Sequence, residues 1–124
     1  MDLLFIGMGG FFGAISRYLA ASFVHRFFGV DFPFGTLFVN VVGSFVLCLF
    51  LPLSLEAYQI SPELRAAVTV GFCGAFTTFS TFSFETLSLL QDGYNTAAFL
   101  NVFGNIFLCL LAGWLGFMVS RLMG

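Results

Sequence analysis

Between Gly71 and Glu85 the chain reads Gly71-Phe72-Cys73-Gly74-Ala75-Phe76-Thr77-Thr78-Phe79-Ser80-Thr81-Phe82-Ser83-Phe84-Glu85. Hydroxyl side chains, phenylalanines and a glycine pair are interleaved in a stretch otherwise apolar enough to lie in a bilayer. Spanning a membrane requires none of this chemistry. Clustered polar groups and irregular backbone persist at membrane depth only where protein or a water-filled path surrounds them. The segment therefore reads as a broken helix lining a conduction or binding site.

Two further runs carry polar groups at helical spacing. Thr36, Asn40 and Ser44 recur every fourth residue, as do Asn101, Asn105 and Cys109, so each set falls on one helix face. Such side chains also join neighbouring helices through hydrogen bonds, but two stripes together with the broken segment exceed what packing requires. Other chemistries lack their residues. Cys48, Cys73 and Cys109 each sit in an apolar run without Cys-x-x-Cys or Cys/His spacing, and read as small buried hydrophobes rather than a metal site or disulfide framework. The lone His25 has no nucleophile or metal partner at a telling spacing. No phosphate-cradling glycine loop ending in Lys-Ser or Lys-Thr is present. Neither catalysis nor coupling to ATP is expected.

Composition defines the elements that must hold these groups. The chain of 124 residues is 60% hydrophobic and 8% charged, with a mean hydropathy of +1.05, whereas a soluble domain carries about 25% charged residues. This is an all-α membrane protein of one domain, with room for four transmembrane helices at about 20 apolar residues each. The start, Met1-Asp2-Leu3-Leu4, lacks the positive segment of a cleaved signal peptide, so the first apolar run is read as a permanent helix. Helix one is expected over 3–28, with Gly9 and Gly13 forming a GxxxG packing face. Gly29 to Pro33 form a turn, and Pro33 suits the first position of the next helix. Helix two is expected over 34–51 and ended by Pro52, with a loop over 53–61. Helix three is expected over 62–90 with its break near 74–78, and helix four over 96–121 after the Asp92-Gly93-Tyr94-Asn95 turn.

The charges are few and their distribution is nearly even. With no lysine, four arginines and a net charge of −2, the chain has no basic patch for nucleic acid. Four crossings put Arg65 and Arg121 on one side and Arg26 on the other, with Arg17 near the end of its own helix. The positive-inside bias is then only about one charge, which barely specifies an orientation. A chain that inserts both ways round can pair with a second copy as an antiparallel, dual-topology homodimer. Four short helices alone hardly enclose a path, so the dimer is also the reasonable geometry.

The residues Gly13-Ala14-Ile15-Ser16-Arg17-Tyr18, Gly35-Thr36-Leu37-Phe38-Val39-Asn40-Val41-Val42-Gly43-Ser44 and the Gly71 to Glu85 segment resemble the Fluc (also called CrcB) family of fluoride channels. The likeness covers essentially the whole chain, and Thr-Thr-Phe-Ser-Thr-Phe-Ser after a glycine pair is its most specific part. Ala75 stands where many members have a third glycine. The resemblance implies an antiparallel homodimer with two fluoride pores, each lined by both copies, in a bacterial-type plasma membrane. It implies a structural sodium ion on the dimer axis, held by backbone carbonyls that match Gly74 and Thr77; hard oxygen ligands suit such a cation. It implies pore-lining rings at Phe79 and Phe82, whose electropositive edges contact an anion without trapping it, and a pore amide at Asn40. By location, Ser80, Thr81, Ser83, Thr36, Asn101 and Asn105 would add polar groups along the path, Cys109 more weakly, and Arg17 would attract anions at a vestibule. Glu85 is the one carboxylate inside an apolar run and would bond hydroxyls or mark a pore mouth.

Fluoride is strongly hydrated, so a path must replace its water while still letting it leave. Amides, hydroxyls and ring edges meet both demands, and the resemblance implies passive export of fluoride from the cytoplasm. The alternative is a small multidrug-resistance-type proton-coupled cation transporter, also four-helical and able to pair antiparallel. That chemistry needs a membrane-embedded acid in helix one, where this chain has none between Asp2 and Asp31 and carries Arg17 instead.

Overall fold

The computed structural model describes residues 2–124, and every regular element among the described residues is a helix, without strands. Helices α1 (Asp2–Phe28) and α2 (Phe34–Pro52) are followed by a π-helical turn, Leu53–Ala57. A third crossing is built from α3 (Pro62–Ala66), a π-helical segment Ala67–Cys73, α4 (Gly74–Phe76) and α5 (Phe79–Gln91). Helix α6 (Asn95–Met123) completes the chain. Four stretches among the described residues are long and apolar enough to cross a membrane: Asp2–Phe28, Phe34–Ala57, Pro62–Gln91 and Asn95–Met123.

Local chemistry explains where the helices start and stop. Gly29, at φ +86°, ends α1 in the left-handed region, and its N–H donates to the His25 carbonyl at 2.8 Å. Gly93, at φ +87°, ends α5 in the same way; the Tyr94 N–H reaches the Leu89 carbonyl and the Gly93 N–H the Leu90 carbonyl, a Schellman pair. Ser61 caps α3, accepting from the Leu64 N–H at 3.2 Å with Pro62 just inside the helix.

The break expected near 74–78 leaves Gly74–Phe76 helical, and both ends of α2 differ from expectation. Pro33 lies just outside α2 rather than at its first position. Helicity also runs through Pro52 to Ala57, where a loop was expected from Leu53. Proline lacks the N–H that would bond the Cys48 carbonyl, yet the backbone stays helical at Pro52, at φ −60° and ψ −40°, and the next turn widens. The widened turn closes with a Tyr58 N–H bond to the Leu53 carbonyl, and the Ser54 hydroxyl donates to the Leu51 carbonyl. Arg65 then fastens this end, donating to the Ser54 hydroxyl and to the Ser54 and Ile60 carbonyls.

Glycines set the helix contacts. A Cβ on Gly9 would overlap the Ala67 carbonyl, and one on Gly13 the Phe72 carbonyl, so α1 lies directly on the Ala67–Cys73 segment. Gly116 of α6 approaches the α2 backbone at Phe45 and Leu49 in the same way. The burial pattern is that of a membrane protein. Leu3, Phe11, Phe27, Leu110 and Leu122 face outward, while two of the three largest fully buried side chains, Val39, Asn101 and Ser54, are polar.

Candidate functional site

The helix ends at Phe76, and Thr77 and Thr78 are extended, at φ −89°, ψ 160° and φ −153°, ψ 119°. An extended pair deep inside an apolar span exposes peptide groups that the bilayer does not satisfy. Asn40 of α2 answers this directly. Its Oδ1 accepts the Thr78 N–H at 2.8 Å while its Nδ2 donates to the Thr78 carbonyl at 3.2 Å. The amide thus pairs with the N–H and C=O of one residue as a β-strand neighbour would. That pairing also fixes which end of the amide is nitrogen, since only Nδ2 donates to a carbonyl.

The second Nδ2 hydrogen of Asn40 goes to Asn105 Oδ1 at 3.0 Å. Asn105 donates in turn to the Asn101 carbonyl at 2.8 Å and to its Oδ1 at 3.1 Å. Asn101 donates to the Thr86 hydroxyl at 2.9 Å, and Thr86 to the Phe82 carbonyl at 2.8 Å. A continuous chain of amides therefore joins the extended Thr78 to the backbone under Phe82 through α2 and α6. Such networks are costly when incomplete and rigid when every member is satisfied.

The extended pair also starts and ends helices. The Thr78 hydroxyl accepts the Thr81 N–H at 3.1 Å, capping α5. The same hydroxyl donates to Thr81 Oγ1 at 3.0 Å and lies 3.4 Å from the Ser80 hydroxyl. Thr77 folds back, its N–H and hydroxyl both bonding the Cys73 carbonyl. Because the Thr78 N–H is turned to Asn40, the Gly74 carbonyl loses the donor that a continuous helix would bring it four residues on. Gly43 makes room for this arrangement, since a Cβ there would overlap the Thr77 methyl.

An open groove of about 310 Å³ gathers Asn40, Gly74, Thr77, Phe79, Phe82 and Asn105, with Ser44, Cys73 and Cys109 on its walls. The Phe79 and Phe82 rings lie 5.3 Å apart with their planes 50° to each other, and Phe79 is 78% exposed. A second groove of about 260 Å³ lies on the other side of Thr78 and holds Arg17, Tyr18, His25, Thr36 and Thr81. Glu85 lies near Thr36 and His25, and its Oε1 is buried without a hydrogen-bond partner among the described residues. Arg17 thus lines a groove with Thr36 and Thr81, not a helix end.

The sequence-predicted residues divide between these two grooves, with exceptions. Ser80 is exposed at the first turn of α5, and Ser83 spends its hydroxyl proton on the Phe79 carbonyl at 3.0 Å. Asn101 is fully buried behind Asn105 rather than lining a groove. Three residues were not singled out from the sequence. Thr78 had a signal, a hydroxyl at the break followed three residues later by Thr81. Thr86 had a weaker one, four residues after Phe82. His25, whose Nε2 accepts the Gly35 N–H at 3.0 Å, had none.

Four apolar crossings around a polar interior define a multi-pass membrane protein. A family described as CrcB-like protein, Camphor Resistance (CrcB), matches residues 4–117, and the chain belongs to that family. It is similar to the fluoride-specific ion channel FluC of Campylobacter jejuni subsp. jejuni serotype O:2, at 50% identity over 119 residues, 96% of this chain and 97% of that protein. The protein of the same name from Shewanella loihica is 51% identical over 115 residues, 93% and 92% of the two chains. That from Citrifermentans bemidjiense is 45% identical over 120 residues, 97% of each. Its spans and these bacterial relatives assign the chain to the bacterial plasma membrane.

Proposed function

We propose that this chain is a fluoride-selective channel that exports fluoride from the cytoplasm by passive electrodiffusion. The observation that carries the reading is the extended Thr77 and Thr78, held by Asn40 beside the Phe79 and Phe82 rings in an open groove. Near-full-length similarity to proteins named fluoride-specific ion channels supports it. The groove is open in one chain, which fits a path closed by a second, antiparallel copy, with two pores per dimer.

In this reading the ion sheds water against ring edges and hydroxyls. Phe79 and Phe82 offer electropositive edges, and Ser80 and Thr81 offer hydroxyls at the first turn of α5, where the helix dipole favours an anion. Both Nδ2 hydrogens of Asn40 are already engaged, so its main part is to hold the wall. Contact with the ion would exchange its longer bond, at 3.2 Å to the Thr78 carbonyl. Asn101 and Asn105 brace that wall, while Arg17 and Thr36 draw anions into the second groove. None of these groups fixes a full positive charge at the rings, so the ion is not trapped.

The donor set at the break also fits a structural sodium ion. Gly74 and Thr77 border one groove, at the C-terminal end of a helix whose carbonyls are short of donors. Their carbonyls, from two copies, would supply hard oxygen ligands. When bound, the cation would offset the negative helix ends meeting at the axis.

A proton-coupled transporter of cationic drugs is disfavoured, since the only acid of α1 is Asp2, in its first turn. Fluoride resistance tests the proposal. Cells lacking their own exporter are expected to grow in fluoride with the parent chain and not with Phe79→Ile made at equal level. Full rescue by Phe79→Ile would remove the rings from the mechanism.

A further inference from the structure

The N-terminus of α2 has an unusual cap. Pro33, just before the helix, offers no side-chain acceptor, and the Phe34 and Leu37 N–H groups are taken by the Phe32 and Pro33 carbonyls. The Gly35 N–H would be an orphan of the first turn. It instead donates to His25 Nε2 of α1 at 3.0 Å. Only glycine fits, because a Cβ on Gly35 would stand 2.8 Å from Nε2 and 2.9 Å from the Ala21 Cβ.

An imidazole nitrogen that accepts an N–H carries no proton of its own. His25 is therefore neutral here, with its proton on Nδ1. Protonation would turn Nε2 into a donor facing a donor, and would set an imidazolium at the positive end of a helix. Both effects open the bond. The acid whose charge reaches His25 is Glu85 of α5, beside Thr36. Arg17 and Tyr18 of α1 share the groove, Arg26 follows in sequence, and α2 brings no ionisable side chain but Cys48, near its far end.

From Gly35 the rigid helix leads five residues, about 7.5 Å, to Asn40, the side chain that holds Thr78. We infer that His25 is a positioning residue: its neutral imidazole clasps the start of α2 to α1, and so makes the hold of Asn40 on the extended Thr78 sensitive to pH. The clasp needs a bare Nε2, so it is closed while the ring is neutral and opens when the ring takes up a second proton.

The chain has a single histidine, so selective ¹⁵N labelling reports this ring alone. In lipid nanodiscs at pH 7.5 the expected spectrum is that of the Nδ1–H tautomer, with the Gly35 amide protected from exchange. At pH 5.0 the Gly35 protection factor is expected to fall roughly tenfold, the size of one lost hydrogen bond. H25Q, whose carbonyl accepts at every pH, is expected to keep it. An Nε2–H tautomer at pH 7.5, a wild-type protection factor indifferent to pH, or the same loss in H25Q would overturn the inference. The conduction arm rests on the fluoride-channel reading: the conductance ratio between pH 5.0 and 7.5 is expected to be lower in wild type than in H25Q. Equal ratios would overturn the link to the pore. Absence of fluoride conductance in either protein would instead refute the channel reading, a failure that the spectra and the exchange data do not share.

Discussion

Replacing Asn40 by leucine removes an amide of similar size and all three of its hydrogen bonds, at 2.8, 3.0 and 3.2 Å. Polar contacts between membrane helices are worth about 0.6 kcal/mol on average and up to about 1.7, so three together contribute about 2–5 kcal/mol. The substitution also strands the N–H and carbonyl of Thr78, which is only 9% exposed. Buried groups left unpaired cost about 1–3 kcal/mol each, which places the expected loss in the upper half of that range. Ser83→Ala, which removes one bond to the Phe79 carbonyl, is expected to cost under about 1 kcal/mol by the same scale. The chain has one tryptophan, Trp114 in α6, whose fluorescence follows unfolding by denaturing detergent in mixed micelles. Asn40→Leu is expected to unfold well before Ser83→Ala and to lose ion efflux even where it remains folded. A stability within about 0.5 kcal/mol of the parent, the range of inconsequential surface changes, would refute the view that this amide holds the extended pair.

Thr86→Val leaves the Asn101 amide without its acceptor and is expected to cost about 1–3 kcal/mol, with Thr86→Ser restoring most of it in the same detergent titration. Gly9→Val is expected to abolish folded protein on size-exclusion chromatography, because even a Cβ there meets the Ala67 carbonyl. Gly7→Ala, with nothing within 4 Å of the added atom, is expected to be neutral or to stabilise by up to about 1 kcal/mol. Phe79→Ile is expected to leave stability within about 0.5 kcal/mol, since the ring is 78% exposed in the chain, while fluoride efflux from liposomes collapses.

Much of this architecture was legible before any coordinates. Long apolar runs, Gly29 and Gly93 as stops and the low charge were enough for four crossings, because each rests on local chemistry. A break was expected near 74–78, from glycines and hydroxyls crowded where lipid offers no partner; Gly74–Phe76 stay helical and only Thr77 and Thr78 are extended. What failed at Pro52 was the assumption that proline ends a helix; a widened turn and the Ser54 hydroxyl let it continue. The stripes were legible as faces but not as a circuit. Spacing put Asn40, Asn101 and Asn105 on two helices, yet only the packing of α2 on α6 decides that an Asn40 amide hydrogen meets the Asn105 oxygen. Thr86 and His25 stayed hidden for the same reason, since their partners lie 15 and 10 residues away in sequence.

The most direct test of the central claim is efflux from liposomes loaded with potassium fluoride and potassium chloride and containing the purified chain alone, followed with electrodes for both anions. Rapid fluoride release with chloride retained is the expected result. Release of neither ion by folded, inserted protein, or of both ions at similar rates, would contradict a self-sufficient fluoride-selective pore.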